Sequence, residues 1–152
     1  MKKFINILSL ICYLSITSLA SALTASVPSL TAMPDTTVSV PISVDDVAGV
    51  TGGLLVLRFD ATLLRAQSVQ RGDLIAGFSF VRNILNDEVR ISFAHSRGLA
   101  SGSGSIATIT FAISPQAANG SRSELTLAQA EFYDETAQAI NVTLTGGQIG
   151  IE

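Results

Sequence analysis

The chain has 152 residues, nine basic and twelve acidic, with a formal net charge of −3, a hydrophobic fraction of 47% and a charged fraction of 14%. A chain this apolar and this sparsely charged is excluded from the solvated disordered class, and its length suits one ordinary domain. It offers no basic surface to phosphates or anionic lipid, which argues against nucleic-acid binding.

Lys2 and Lys3 open the sequence, and an apolar stretch from Phe4 to Ile16 follows, broken only by Asn6, Ser9 and Ser15. It closes on Ala20-Ser21-Ala22, with small residues at the two outer positions that signal peptidase reads. Residues 1–22 therefore read as a secretory signal peptide, with 23–152 as the exported domain. The apolar run is shorter than the roughly 20 residues that cross a bilayer, and no second run follows, so no membrane span is expected after cleavage. Cys12 is the only cysteine and falls within the signal, leaving the exported chain no disulfide framework. An ordinary hydrophobic core must hold it.

From there the hydrophobic period is two. Val38, Val40, Ile42 and Val44 alternate within Thr37 to Val44; Leu55, Leu57 and Phe59 do so within Gly53 to Asp60; Val89, Ile91 and Phe93 within Glu88 to His95. Ile109, Phe111 and Ile113 repeat the pattern, as do Leu125 and Leu127, Val142 and Leu144, and Ile149 and Ile151. Such alternation predicts strands with one face in a core and one in water. Pro41 marks an edge or a bulge. Turn residues cluster at 33–35, 49–53, 71–73, 86–87, 98–104, 118–121 and 146–147. No stretch sustains a helical period. The fold class is all-β, a single sandwich or barrel of short strands.

Four segments, in order, resemble the cohesin family, the receptor half of the cohesin–dockerin pair. They are Gly52 to Asp60 followed by Leu63-Leu64; Ser68 to Leu74; Val89 to Ala94 with Gly102 to Phe111; and Phe132-Tyr133-Asp134-Glu135 with Gly147 to Ile151. The resemblance implies a jelly-roll sandwich of about nine strands that binds a dockerin-like extracellular protein and catalyses nothing, with polysaccharide breakdown as one setting. It implies no cofactor here and places calcium mainly on the partner. Cellulosomal cohesins often carry Asn or Asp at outward positions where this chain has Gly52 and Leu54, a departure that bears on which dockerin it takes.

Alternation also predicts the outward residues. With Leu55, Leu57 and Phe59 inside, Leu54, Val56 and Arg58 face out; with Val89, Ile91 and Phe93 inside, Arg90 and Ser92 do. If the two strands are neighbours, as the resemblance implies, these five residues form one face with two exposed aliphatics beside two arginines, the composition of an interface centre.

Other readings have less to stand on. His95, the only histidine, continues the inward parity of its strand and reads as a structural residue. No Gly-x-Ser-x-Gly elbow is present, and Asp45-Asp46, Asp87-Glu88 and Asp134-Glu135 read as solvated turns without the spacing of a calcium loop. A carbohydrate-binding module of the same superfamily is the alternative, but without tryptophan it has only Tyr133 as a stacking platform, Phe78 and Phe80 being assigned to the core. A self-assembling surface subunit is a third reading.

Overall fold

The computed structural model describes residues 22–152; nearly all of the expected signal peptide lies outside the described residues. Twelve strands form two sheets that share one core: β1 (Leu23–Ser26), β2 (Leu30–Ala32), β3 (Thr37–Val44), β4 (Gly52–Arg58), β5 (Leu64–Arg71), β6 (Ser79–Ile84), β7 (Glu88–Ala94), β8 (Gly104–Ile113), β9 (Arg122–Tyr133), β10 (Ala139–Ile140), β11 (Val142–Thr145) and β12 (Gly147–Ile151). A single 3₁₀ turn, Asp73–Ile75, follows β5. The small sheet runs β11-β1-β3-β8-β5 and the large one β2-β12-β9-β4-β7-β6, with β10 added on β9. This is the expected all-β sandwich of jelly-roll type. The strand count exceeds nine because the edges are broken into short pieces, β1 from β2 at Val27-Pro28-Ser29 and β10 from β11 at Asn141.

Those breaks are where the chain changes sheets. β1 pairs with β11 and β2 with β12, both parallel, so the two ends of the domain cross from small sheet to large side by side. Gly146-Gly147, expected as a turn, is this crossing. A Cβ on Gly147 would lie 2.2 Å from the Pro28 carbonyl oxygen, so only glycine lets the two crossings touch.

The period-two pattern is realised almost throughout. Val40, Ile42, Leu55, Leu57, Val89, Ile91, Ile109, Phe111, Leu125 and Ile149 are all buried between the sheets. Phe59 meets Phe111 of the small sheet edge-on with centroids 4.9 Å apart, tying the two sheets together, and Phe93 of β7 meets Phe132 of β9 at 5.7 Å within the large sheet. Leu144, expected inside, is 41% exposed because β11 is an edge strand with no neighbour beyond it. Pro41 sits opposite Thr108 on β8, where β1 no longer pairs with β3, and a register shift follows at Ile42/Ser43. The missing proline N–H therefore leaves no gap in a ladder. Among the described residues no helix is long and apolar enough to cross a membrane.

Candidate partner-binding face

Four strands of the large sheet, β6-β7-β4-β9, present their outer side as one surface, and register fixes its rows. Val81, Ser92, Leu54 and Glu131 stand opposite one another in one row; Asn83, Arg90, Val56 and Gln129 in the next; Glu88, Arg58 and Thr126 in the third. The five residues expected outward, Leu54, Val56, Arg58, Arg90 and Ser92, are thus brought together on adjacent strands.

Their exposures differ from the expectation at one position. Val56 is only 7% exposed. It occupies the middle row with long side chains on either side, Arg90 of β7 and Gln129 of β9, and these close over a short β-branched residue. Leu54, between Ser92 and Glu131, stays partly exposed. Val81, on the edge strand β6, is 67% exposed and supplies the second aliphatic that Val56 does not.

Glu88 is the largest correction. Expected in a solvated turn, it opens β7 on the outer face and is buried, with Arg58 on one flank and Arg90 on the other. Arg58 Nε donates to Oε2 at 3.2 Å, while Arg90 Nε donates to Oε1 at 2.6 Å. The hydrogen bond from Arg90 first, and the one from Arg58 after it, hold the Glu88 carboxyl below its ordinary value against the opposing effect of burial. The parity of Val89 already put Glu88 outside. What the sequence lacked was the register that sets Arg58 opposite it.

A depression of about 250 Å³ lies over this triad, lined by Leu54, Val56, Arg58, Glu88, Arg90, Ala128 and Gln129. Ala128 belongs to the lining because β9 bulges between the partners of Val56 and Leu57, which pair with Gln129 and Leu127. The same bulge reconciles Leu127 and Phe132, both inward although they differ in parity.

At the far end of the face Tyr133 Oη donates to Glu131 Oε2 at 2.7 Å and Gln129 Nε2 to Glu131 Oε1 at 2.6 Å. The phenol's hydrogen bond, then the amide's, lower the Glu131 carboxyl, and the same contact raises the Tyr133 phenol. Gly52 and Gly53 are backbone necessities: a Cβ on Gly52 would lie 2.9 Å from the Phe93 carbonyl oxygen, and one on Gly53 2.6 Å from that of Glu131 and 2.8 Å from the Phe93 ring.

Elsewhere, candidate chemistry resolves into structure. His95 is exposed, stacks on Phe78 at 4.9 Å, and its Nδ1 accepts the Arg97 N–H at 3.1 Å. Asp45 accepts the Thr24 N–H, Asp46 that of Ala48, Asp134 those of Thr136 and Gln138, and Glu135 that of Gly98, so these carboxylates tie loops. Among the described residues no three His, Cys, Asp or Glu side chains gather as a metal site.

Residues 23–151 match the family model for the cohesin domain. The chain belongs to the cohesin family. Cohesin domains are non-catalytic protein–protein interaction modules, and this one is not an enzyme. It is similar, at 30% identity over 138 residues and 86% of its length, to cellulose-binding protein A of Clostridium cellulovorans, of which it spans 7%. The sixth cohesin of scaffoldin B from Acetivibrio cellulolyticus, solved with a mutant Cel5 dockerin, superposes with a TM-score of 0.79 at 24% identity, covering 87% of this chain and 100% of that one. The third ScaC cohesin of the same organism, solved with a ScaB dockerin mutated in its C-terminal helix, gives 0.75 at 26% identity over 85% and 98% of the two chains.

Proposed function

We propose that this cohesin binds a dockerin-like extracellular protein, and that the outer face of β6-β7-β4-β9 is where it does so. The observation that carries the reading is the pairing of two outward aliphatics, the half-buried Leu54 and the exposed Val81, with two arginines held in place by a buried carboxylate. Burying apolar area beside fixed, well-spaced charge is how a protein surface gains both affinity and selectivity. The dockerin complexes of the similar cohesins support the partner class.

The module is exported by residues 1–22, acts without a cofactor of its own, and leaves any calcium to the partner. Its similarity to a cellulose-binding protein supports a setting in polysaccharide breakdown. A direct sugar-binding role has weaker support, because Tyr133 is a single ring and its hydroxyl is already spent on Glu131.

Capture on immobilised protein tests the reading. Passing the source organism's secreted proteins over wild type and Leu54→Asp, with calcium and with chelator, is expected to retain a calcium-dependent partner on wild type alone. Equal retention by Leu54→Asp, with its fold intact by circular dichroism, would move the site elsewhere. Retention of insoluble polysaccharide and no protein would replace the reading with the carbohydrate one.

A further inference from the structure

The charges on the face are arranged unevenly along it. Glu88 is consumed: Arg58 Nε takes one oxygen at 3.2 Å, and Arg90 Nε and Nη2 share the other at 2.6 Å. Two guanidiniums thus divide one negative charge, and among the described residues neither forms another ion pair. Their side chains stay 63% and 56% exposed, with both Nη groups of Arg58 and Nη1 of Arg90 unspent. Farther out on β9, Arg122 and Glu124 bring one charge of each sign, and Asp60 engages Thr62 in the loop after β4.

At the opposite end Glu131 accepts only from neutral donors, Tyr133 and Gln129, and so keeps its full negative charge. Leu54 and Val81 lie beside it in the same row, with Val56 between that row and Arg58. The face is therefore positive at one end, while the other end sets the negative Glu131 beside Leu54 and Val81, with only the buried Val56 between.

On the reading that a dockerin helix docks here, we infer that the helix is charge-paired. It places a carboxylate between Arg58 and Arg90, an apolar side chain over Leu54 and Val81, and a cationic side chain at Glu131. Spacing makes this specific. The arginine rows at Val56 and Arg58 average three residues from the Leu54 row, or about 10 Å at roughly 3.3 Å per residue. That is about two turns of helix at roughly 5.4 Å each. The acid and base then fall at i and i+7, on one side of the helix, with the apolar side chain beside the base. Reversing the helix would set like charges against each other at both ends, so it lies in one direction along β4.

A displayed library of dockerin modules, randomised at the outward positions of their helices and selected against the full-length protein, tests this without altering the cohesin. Enrichment of Asp or Glu at one position with Lys or Arg seven residues on, about tenfold or more over the input, is the expected result. Arg90→Gln should then weaken the selected binders about tenfold, measured at a temperature where circular dichroism shows the variant fully folded. Binders that need Leu54 but show no acidic preference, or prefer a base opposite the arginines, would overturn the charge pairing and leave the docking face standing. Binders indifferent to Leu54→Asp, or none at all, would overturn the docking face and the pairing with it.

Discussion

The outer faces of the two sheets follow the same alternation and present opposite chemistry. On the small sheet the outward positions are mostly hydroxyls, Thr24 and Ser26 of β1, Ser39 and Ser43 of β3, and Thr108 and Thr110 of β8, with Pro41 and Ala112 among them and Arg65 and Gln70 on the edge strand β5. On the large sheet they are Leu54, Val56 and Val81 among Arg58, Glu88, Arg90 and Glu131. Thr and Ser fit a pleated surface and stay content in water. The contrast teaches that folding needs only the inward half of each strand. The outward aliphatics and the Arg58–Glu88–Arg90 triad of the large sheet have no counterpart on the small sheet, which packs the same core without them.

The strongest way to break the contrast is to put one charge on each face. Leu54→Asp is expected to weaken partner binding about a hundredfold, and Thr110→Asp to leave it within about twofold, both read by titration calorimetry. Gly53→Ala separates the face from the sheet beneath. Its Cβ would press on the Glu131 carbonyl and the Phe93 ring, so chemical denaturation should show a loss of about 1–3 kcal/mol with the outward side chains untouched.

Acid sharpens the comparison further. Because Glu88 titrates below its ordinary value of 4.5 in the folded protein, chiefly through its hydrogen bond from Arg90, its stabilising effect is complete above that pH. It is lost as the pH falls through the folded value. Melting curves from pH 7 to pH 3 should therefore show a constant gap between wild type and Glu88→Gln above about pH 5. The gap should close below pH 4.5. The smallest effect belongs to the turn after β9, outside both faces. Ala137 holds a φ of 58°, and Ala137→Gly should raise stability by up to about 1 kcal/mol without touching binding.

Much of this was legible in sequence, and the exceptions have physical causes. The inward sets Leu55-Leu57-Phe59 and Val89-Ile91-Phe93 needed only period two, and their parity placed Leu54, Arg58, Arg90 and Ser92 on the outer side. Parity states direction, not cover, so Val56 was expected to be exposed although Arg90 and Gln129 flank it. Glu88 was read as a turn residue because its partner Arg58 is thirty residues away and meets it only through the β4–β7 register. Val81 carries no signal of its own in the sequence, because Phe78 and Phe80 set the apolar parity of that segment and a lone outward valine is ordinary in a strand. β1, β2 and β10 have four, three and two residues, too few for a period to declare itself.

Methyl NMR of the full-length protein, titrated with its captured partner, shows whether the outer face of the large sheet is the docking surface. The methyl signals of Leu54 and Val81 are expected to shift or broaden first, with Val56 following. Those of Leu63 and Leu144, which belong to other surfaces, should stay in place. Shifts confined to Leu63 or Leu144 would contradict it.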